Sequence, residues 1–120
     1  MLVVDGSAAV SVRMVGLLRE ARHEVVGMAG TAEAALDQAR ALRPEVIVVD
    51  PQLSDQSGPA LVASLRERAP VAVLVVVSND PQPRIRLSYL KHGADYFFDK
   101  SSEFDAVATT LAVAEARSQR

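Results

Sequence analysis

The chain has no cysteine among its 120 residues, which excludes a disulfide scaffold, a thiolate zinc site and a cysteine nucleophile, and suits a reducing compartment. It also lacks a long apolar run. The longest, VAVLVVV over 71–77, is far short of the roughly twenty residues needed to cross a bilayer. Met1 leads straight into a strand-like run with no signal-peptide architecture, so a cytoplasmic protein with no membrane contact is expected. Charge of one sign is missing as well. With 13 basic and 15 acidic residues interspersed and a formal charge of −2, no basic stripe is available for a phosphate backbone, and direct nucleic-acid binding is not expected. Several catalytic motifs are absent. No G-x-G-x-x-G follows the first apolar run, and there is neither a G-x-x-x-x-G-K-[ST] loop nor a G-x-S-x-G elbow, which argues against dinucleotide, nucleoside-triphosphatase and hydrolase sites. D-G-S at 5–7 is not the D-x-D of a haloacid-type phosphatase.

What the chain does have is apolar content of 49%, enough to fill one core, and a length that fits a single domain over 1–120. Five short runs recur: LVV (2–4), EVVGMA (24–29), EVIVV (45–49), VAVLVVV (71–77) and DYFF (95–98). Their β-branched content and length favour strands, and their lack of polar alternation favours strands buried on both faces, as in a parallel sheet.

Between them lie segments of helical spacing at 11–22, 31–42, 58–69 and 83–93, and a last one opening at SSEFD (101–105) and running to about Arg117. Val12, Val15 and Leu17 or Leu18 share one face of the first. Ala35, Leu36, Ala39 and Leu42 do so on the second, and Leu61, Val62 and Leu65 on the third. Pro59 suits a first turn, Gly93 a C-terminal stop, and Ser102 with Asp105 a capping box. Five alternations of strand and helix specify an α/β three-layer sandwich: a five-stranded parallel sheet flanked by five helices.

In such a fold, ligands bind beyond the carboxyl ends of the strands, where the strand order reverses. Asp5, Asp50 and Ser78 each directly follow the last apolar residue of the first, third and fourth runs, and Lys100 lies just past the fifth. All can therefore meet at one edge of the sheet. Two carboxylates about 4 Å apart repel by about 4 kcal/mol at an effective dielectric of about 20, so the pocket wants a counter-charge. Mg²⁺, which takes one or two carboxylates and shares its remaining positions with water and phosphate, is the natural candidate.

The set VVD (3–5), VIVVD (46–50) followed by Gly58, VVVS (75–78) and GADYFFDK (93–100) resembles the receiver domain of the bacterial two-component response regulators, over essentially the whole chain, and the resemblance implies a flavodoxin-like fold. The resemblance implies that Asp50 accepts a phosphoryl group and that Ser78 hydrogen-bonds a phosphoryl oxygen while Lys100 pairs with it. It further implies that Asp5, Asp50 and the backbone carbonyl of Gln52 hold Mg²⁺, and that Phe97 occupies an aromatic switch position coupled to Ser78. Core packing is the other reading of Phe97, and a turn or capping aspartate the other reading of Asp50. His23 and His92 are expected on the surface.

The chain departs from the family pattern at three places. Gly6 stands where a second acidic residue usually follows the first strand, which should weaken Mg²⁺ binding; a shifted Asp5, Asp55 or Asp80 are the candidates for compensation. Ser101 stands where proline commonly follows the lysine, so a trans bond is expected. Pro51 directly follows the acceptor and stiffens its loop.

The function expected is therefore not that of an enzyme. The expectation is a phosphoacceptor signalling switch that receives its phosphoryl group from a histidine kinase or phosphotransfer protein and, standing alone, signals to a downstream protein. The face of the fourth helical segment, fifth strand and fifth helical segment, with Arg84, Arg86, Tyr89 and Lys91, is the expected docking surface, and the same face would serve a homodimer. The competing reading is a degenerate receiver, an interaction or dimerisation module independent of phosphate.

Overall fold

A computed structural model describes residues 1–6, 15–16, 18–20, 24–51, 57–78 and 82–99. Val- and Ile-rich runs form five strands: β1 (Leu2–Val4), β2 (Gly27–Ala29), β3 (Val46–Val49), β4 (Val73–Ser78) and β5 (Tyr96–Asp99). They build one sheet of order β2-β1-β3-β4-β5, parallel at every pairing. The expected flavodoxin-like arrangement is thus what the chain adopts.

Three complete helices are described: α1 (Ala32–Leu42), α2 (Gly58–Arg68) and α3 (Pro83–Lys91). Residues 15–16 and 18–20 are helical as well and belong to the first helical segment of the sequence. The expected fifth helix, with its capping box at Ser102 and Asp105, lies outside the described residues.

Local chemistry sets the helix ends. Thr31, extended at φ −133° and ψ 160°, caps α1 by accepting a hydrogen bond on Oγ1 from the Ala34 N–H at 3.1 Å. α1 stops at Arg43, which turns left-handed (φ 47°, ψ 56°) and donates its N–H to the Ala39 carbonyl; Pro44 follows and cannot continue a helix. Pro59 and Pro83 sit in the first turns of α2 and α3, where a missing N–H costs nothing. Gly93 beyond α3 adopts φ 123°, a conformation that excludes side-chain-bearing residues.

Period-two alternation along the strands divides the core in two. Leu2, Val4, Ile47, Val49, Leu74, Val76 and Phe97 face α1, α2 and Tyr89 of α3. Met1, Val3, Val46, Val48, Val75 and Val77 face the other way, onto Val15 and Leu18. Leu61, Val62 and Leu65 of α2 are fully buried, as their spacing predicts, and each contributes about 1.5–3 kcal/mol by leaving water. α1 presents Ala32, Ala35 and Ala39 to the core, small residues that let it lie close to the sheet. Leu42, expected on that face, is exposed because it reaches past the core toward Gly27 at the sheet's edge. The run at 71–77 becomes strand only at Val73; Val71 is 93% exposed in the preceding turn. Among the described residues no helix is long and apolar enough to cross a membrane.

Candidate functional site

The strand order reverses about β1, whose neighbours are β2 on one side and β3 on the other. The crevice of such a sheet opens at the carboxyl ends of β1 and β3, and there Asp5 and Asp50 stand. Their backbones are pinned: the Asp5 N–H donates to the Ala29 carbonyl at 2.9 Å and the Asp50 N–H to the Val4 carbonyl at 2.8 Å. The first bond extends the β1–β2 pairing and the second the β1–β3 pairing, in which Val4 is opposite Val49; one residue further, the two aspartates are level on adjacent strands about 4.8 Å apart. Asp5 is buried at 7% exposure, whereas Asp50 is only half-buried. Of the two carboxylates, Asp50 is the one an incoming group can reach.

Ser78 ends β4 and is 1% exposed. Val49 pairs with Val76, so Ser78 lies level with Pro51, one residue past Asp50. Within β4, Ser78 shares the face of Leu74 and Val76, the face covered by α1, α2 and α3. On β5, Asp99 pairs with Ser78 and Phe97 with Val76, which puts Phe97 on that same face two residues below the serine. The structure thus gathers Asp5, Asp50 and Ser78 at one edge, with Phe97 beneath it. Lys100, Gln52, Asp55, Asp80, His23 and the bond before Ser101 lie outside the described residues. His92 is exposed, as expected, and its Nδ1 lies 2.7 Å from the Ser88 carbonyl.

Phe97 is buried at 6% exposure, with its ring stacked on Tyr89 at a centroid separation of 6.0 Å and an interplanar angle of 19°. Tyr89 is correspondingly a correction: expected on the docking surface, it is 8% exposed and belongs to the core, because it lies one turn after the partly buried Ile85 on the inward face of α3. Arg84, Arg86 and Lys91 remain exposed. The Tyr89 hydroxyl reaches the first residue of α2, where any side chain at Gly58 would collide with it. The helical spacing of Ile85 and Tyr89 was the available signal for this; the contact with Gly58 had none.

Magnesium would find hard oxygen donors here: two carboxylates on neighbouring strands, of the kind and number that the ion usually takes from protein. Among the described residues no group of three or more acidic, histidine or cysteine side chains is clustered for a metal.

Comparisons with known proteins agree with this geometry. The response regulator receiver domain family matches residues 1–112. The chain is 38% identical over 89 residues to protein-glutamate methylesterase/protein-glutamine glutaminase 3 of Myxococcus xanthus, covering 73% of this chain and 25% of that protein. It is 35% identical over 104 residues to the corresponding protein 2 of Pseudomonas fluorescens, covering 85% and 28%. The chain therefore spans about a quarter of the length of these curated relatives. Among solved structures it is similar to the response regulator domain of Thermotoga maritima CheB, with a TM-score of 0.76 and 26% identity over 99% of this chain and 95% of that one. It is also similar to a Burkholderia pseudomallei response regulator carrying a phosphorylated aspartic acid and a calcium ion, with a TM-score of 0.80 and 25% identity over 99% of this chain and 74% of that one. The chain belongs to the response regulator receiver domain family of two-component systems.

Proposed function

We propose that this receiver is a phosphoacceptor switch of the cytoplasm, with Asp50 as the residue that is phosphorylated. The observation that carries the reading is the pairing of a buried with a half-buried carboxylate, Asp5 with Asp50, at the point where the strand order reverses. A carboxylate oxygen of Asp50 attacks the phosphorus of a donor phosphohistidine, the P–N bond breaks, and the imidazole leaves. Such a transfer needs in-line placement and neutralised oxygens more than covalent help. Ser78 donates its hydroxyl to a phosphoryl oxygen and Lys100 pairs with the charge. Magnesium, held by Asp5, Asp50 and the Gln52 carbonyl, supplies further positive charge when bound.

The output follows from the shared sheet face of Ser78 and Phe97. Drawing Ser78 toward a phosphorylated Asp50 changes the space above Phe97, and the Phe97–Tyr89 stack transmits that change to α3. Phe97 is already packed inward, so the switch is a shift in the balance between this position and an outward one rather than a first entry into the core. The donor is a histidine kinase or phosphotransfer protein, and the recipient of the signal is a protein docking on the exposed Arg84, Arg86 and Lys91 of α3. This is a signalling domain rather than an enzyme with a dissociable substrate.

The test is incubation with a small phosphodonor and Mg²⁺, which should add one phosphoryl mass to the protein and none to the Asp50→Asn variant. Gly6 favours the second reading, a receiver that works as an interaction or dimerisation module without phosphate, and absence of the adduct at high Mg²⁺ would favour it over the first. Gly6→Asp should tighten Mg²⁺ binding by restoring a carboxylate; unchanged affinity in a metal titration would mean that another ligand already fills the place.

A further inference from the structure

At the opposite edge of the sheet, where the strands begin, the ends of α1 and α2 enclose a groove of about 310 Å³ that plays no part in the phosphoryl chemistry. Its lining includes Ala39, Ala69 and Ala72, all buried. Three arginines, Arg40, Arg43 and Arg68, also line it, and all three are exposed. Among the described residues none of their guanidinium groups is hydrogen-bonded or ion-paired. Val71 completes the wall with almost its whole side chain in solvent.

Helix-end electrostatics explains part of this arrangement. Arg40 and Arg68 occupy the last turns of their helices, where a cation offsets a partial charge of roughly −0.5. Two helix ends amount to about −1 against the three full positive charges of the lining, so the lining itself is cationic in a chain whose formal charge is −2. Arg43 is not helical at all. It holds a left-handed backbone at a position where glycine or asparagine is the easier choice, so the fold would be better served without its side chain.

Nor is the display of Val71 a matter of a loose turn. Arg66 donates to the carbonyls of Ala69, Pro70 and Ala72 at 3.4, 3.2 and 2.7 Å, fixing the backbone on which Val71 stands. A rigid apolar wall ringed by free guanidinium forks suits a ligand that combines carboxylates with an aliphatic side chain. Arg40, Arg43, Arg68 and Val71 are all exposed, which is too open for a small molecule, since such sites bury most of their ligand.

We propose that this groove docks an acidic linear segment of a partner protein, with carboxylates on Arg40, Arg43 and Arg68 and an aliphatic side chain against Val71, independently of the state of Asp50. The test is fluorescence anisotropy of a short fluorescein-labelled peptide of alternating glutamate and leucine, with polyglutamate and lysine–leucine peptides as controls, and amide chemical-shift mapping of the glutamate–leucine complex. The glutamate–leucine peptide should bind saturably, more weakly as salt rises, and should shift the amides at 39–44 and 68–72. The double variant Arg43→Gly, Arg68→Ala should bind roughly tenfold more weakly while melting no lower than the parent, and Val71→Ser should also weaken binding. No saturable binding at low salt, undiminished affinity in the double variant, equal affinity for polyglutamate, or shifts clustered instead on Arg84 to Lys91 would each overturn the proposal.

Discussion

The two edges of the sheet treat charge in opposite ways. At the amino edge, Asp95 meets an arginine: its Oδ2 accepts from Arg66 Nη2 at 2.7 Å and from the Leu74 N–H at 2.8 Å. The same guanidinium also spans to the Gly93 carbonyl, at 3.0 Å from Nε and 2.7 Å from Nη2. One side chain thereby ties the end of α2 to the turn before β4 and to the loop before β5. At the carboxyl edge, two aspartates are placed side by side on neighbouring strands. The first arrangement uses charge to hold segments together, and the second sets two like charges side by side at the edge where phosphoryl transfer is proposed. The difference teaches that a carboxylate at a strand end is structural or reactive according to what the topology sets beside it.

The comparison is most easily broken at Asp50. Asp50→Asn should abolish phosphoryl uptake entirely, read as the missing phosphoryl mass, yet in metal-free buffer it should change stability by no more than about 1 kcal/mol in thermal melting, since Asp50 is only half-buried. A clear loss of stability would make Asp50 a structural residue like Asp95. The reverse holds for Arg66→Ala. Its many bonds to carbonyls, each worth about 0.5–1.5 kcal/mol net and partly replaced by water, amount to a loss of about 2–3 kcal/mol in urea denaturation, with phosphoryl uptake by the folded protein intact.

Gly58→Ala probes the ground between the edges. The new methyl collides with Tyr89 and should cost about 1–3 kcal/mol, as overpacking does; adding Tyr89→Phe should recover part of it, read from the same denaturation curves. The smallest effect is expected at Thr31→Ala, where losing the cap on α1 should cost about 1 kcal/mol and change nothing at either edge.

Much of this was legible in the chain. The apolar runs ending at Asp5, Asp50 and Ser78 located the strands and their carboxyl ends, because a strand buried on both faces must be apolar until it leaves the core. The outer residues were harder. Val71 belongs to the apolar run by composition, but three of the carbonyls at 69–72 are drawn to Arg66, and the strand starts later. Tyr89 sits among cationic residues in sequence, but the inward face of α3 and the room above Gly58 put it beneath Phe97. The role of Arg66 had no sequence signal, since its partners Gly93 and Asp95 are 27 and 29 residues away.

The order of residues along the chain was enough to decide that strands and helices alternate, which side chains end each strand, and that Asp50 stands at a strand's carboxyl end. These follow from local propensity and period, which each segment carries within itself. Tertiary structure alone decided the register that sets Asp5 level with Asp50, and that Tyr89 and Phe97 share a stack. Those facts rest on contacts between segments distant in sequence, and such contacts are chosen by the packing of the whole core rather than by any one stretch of it.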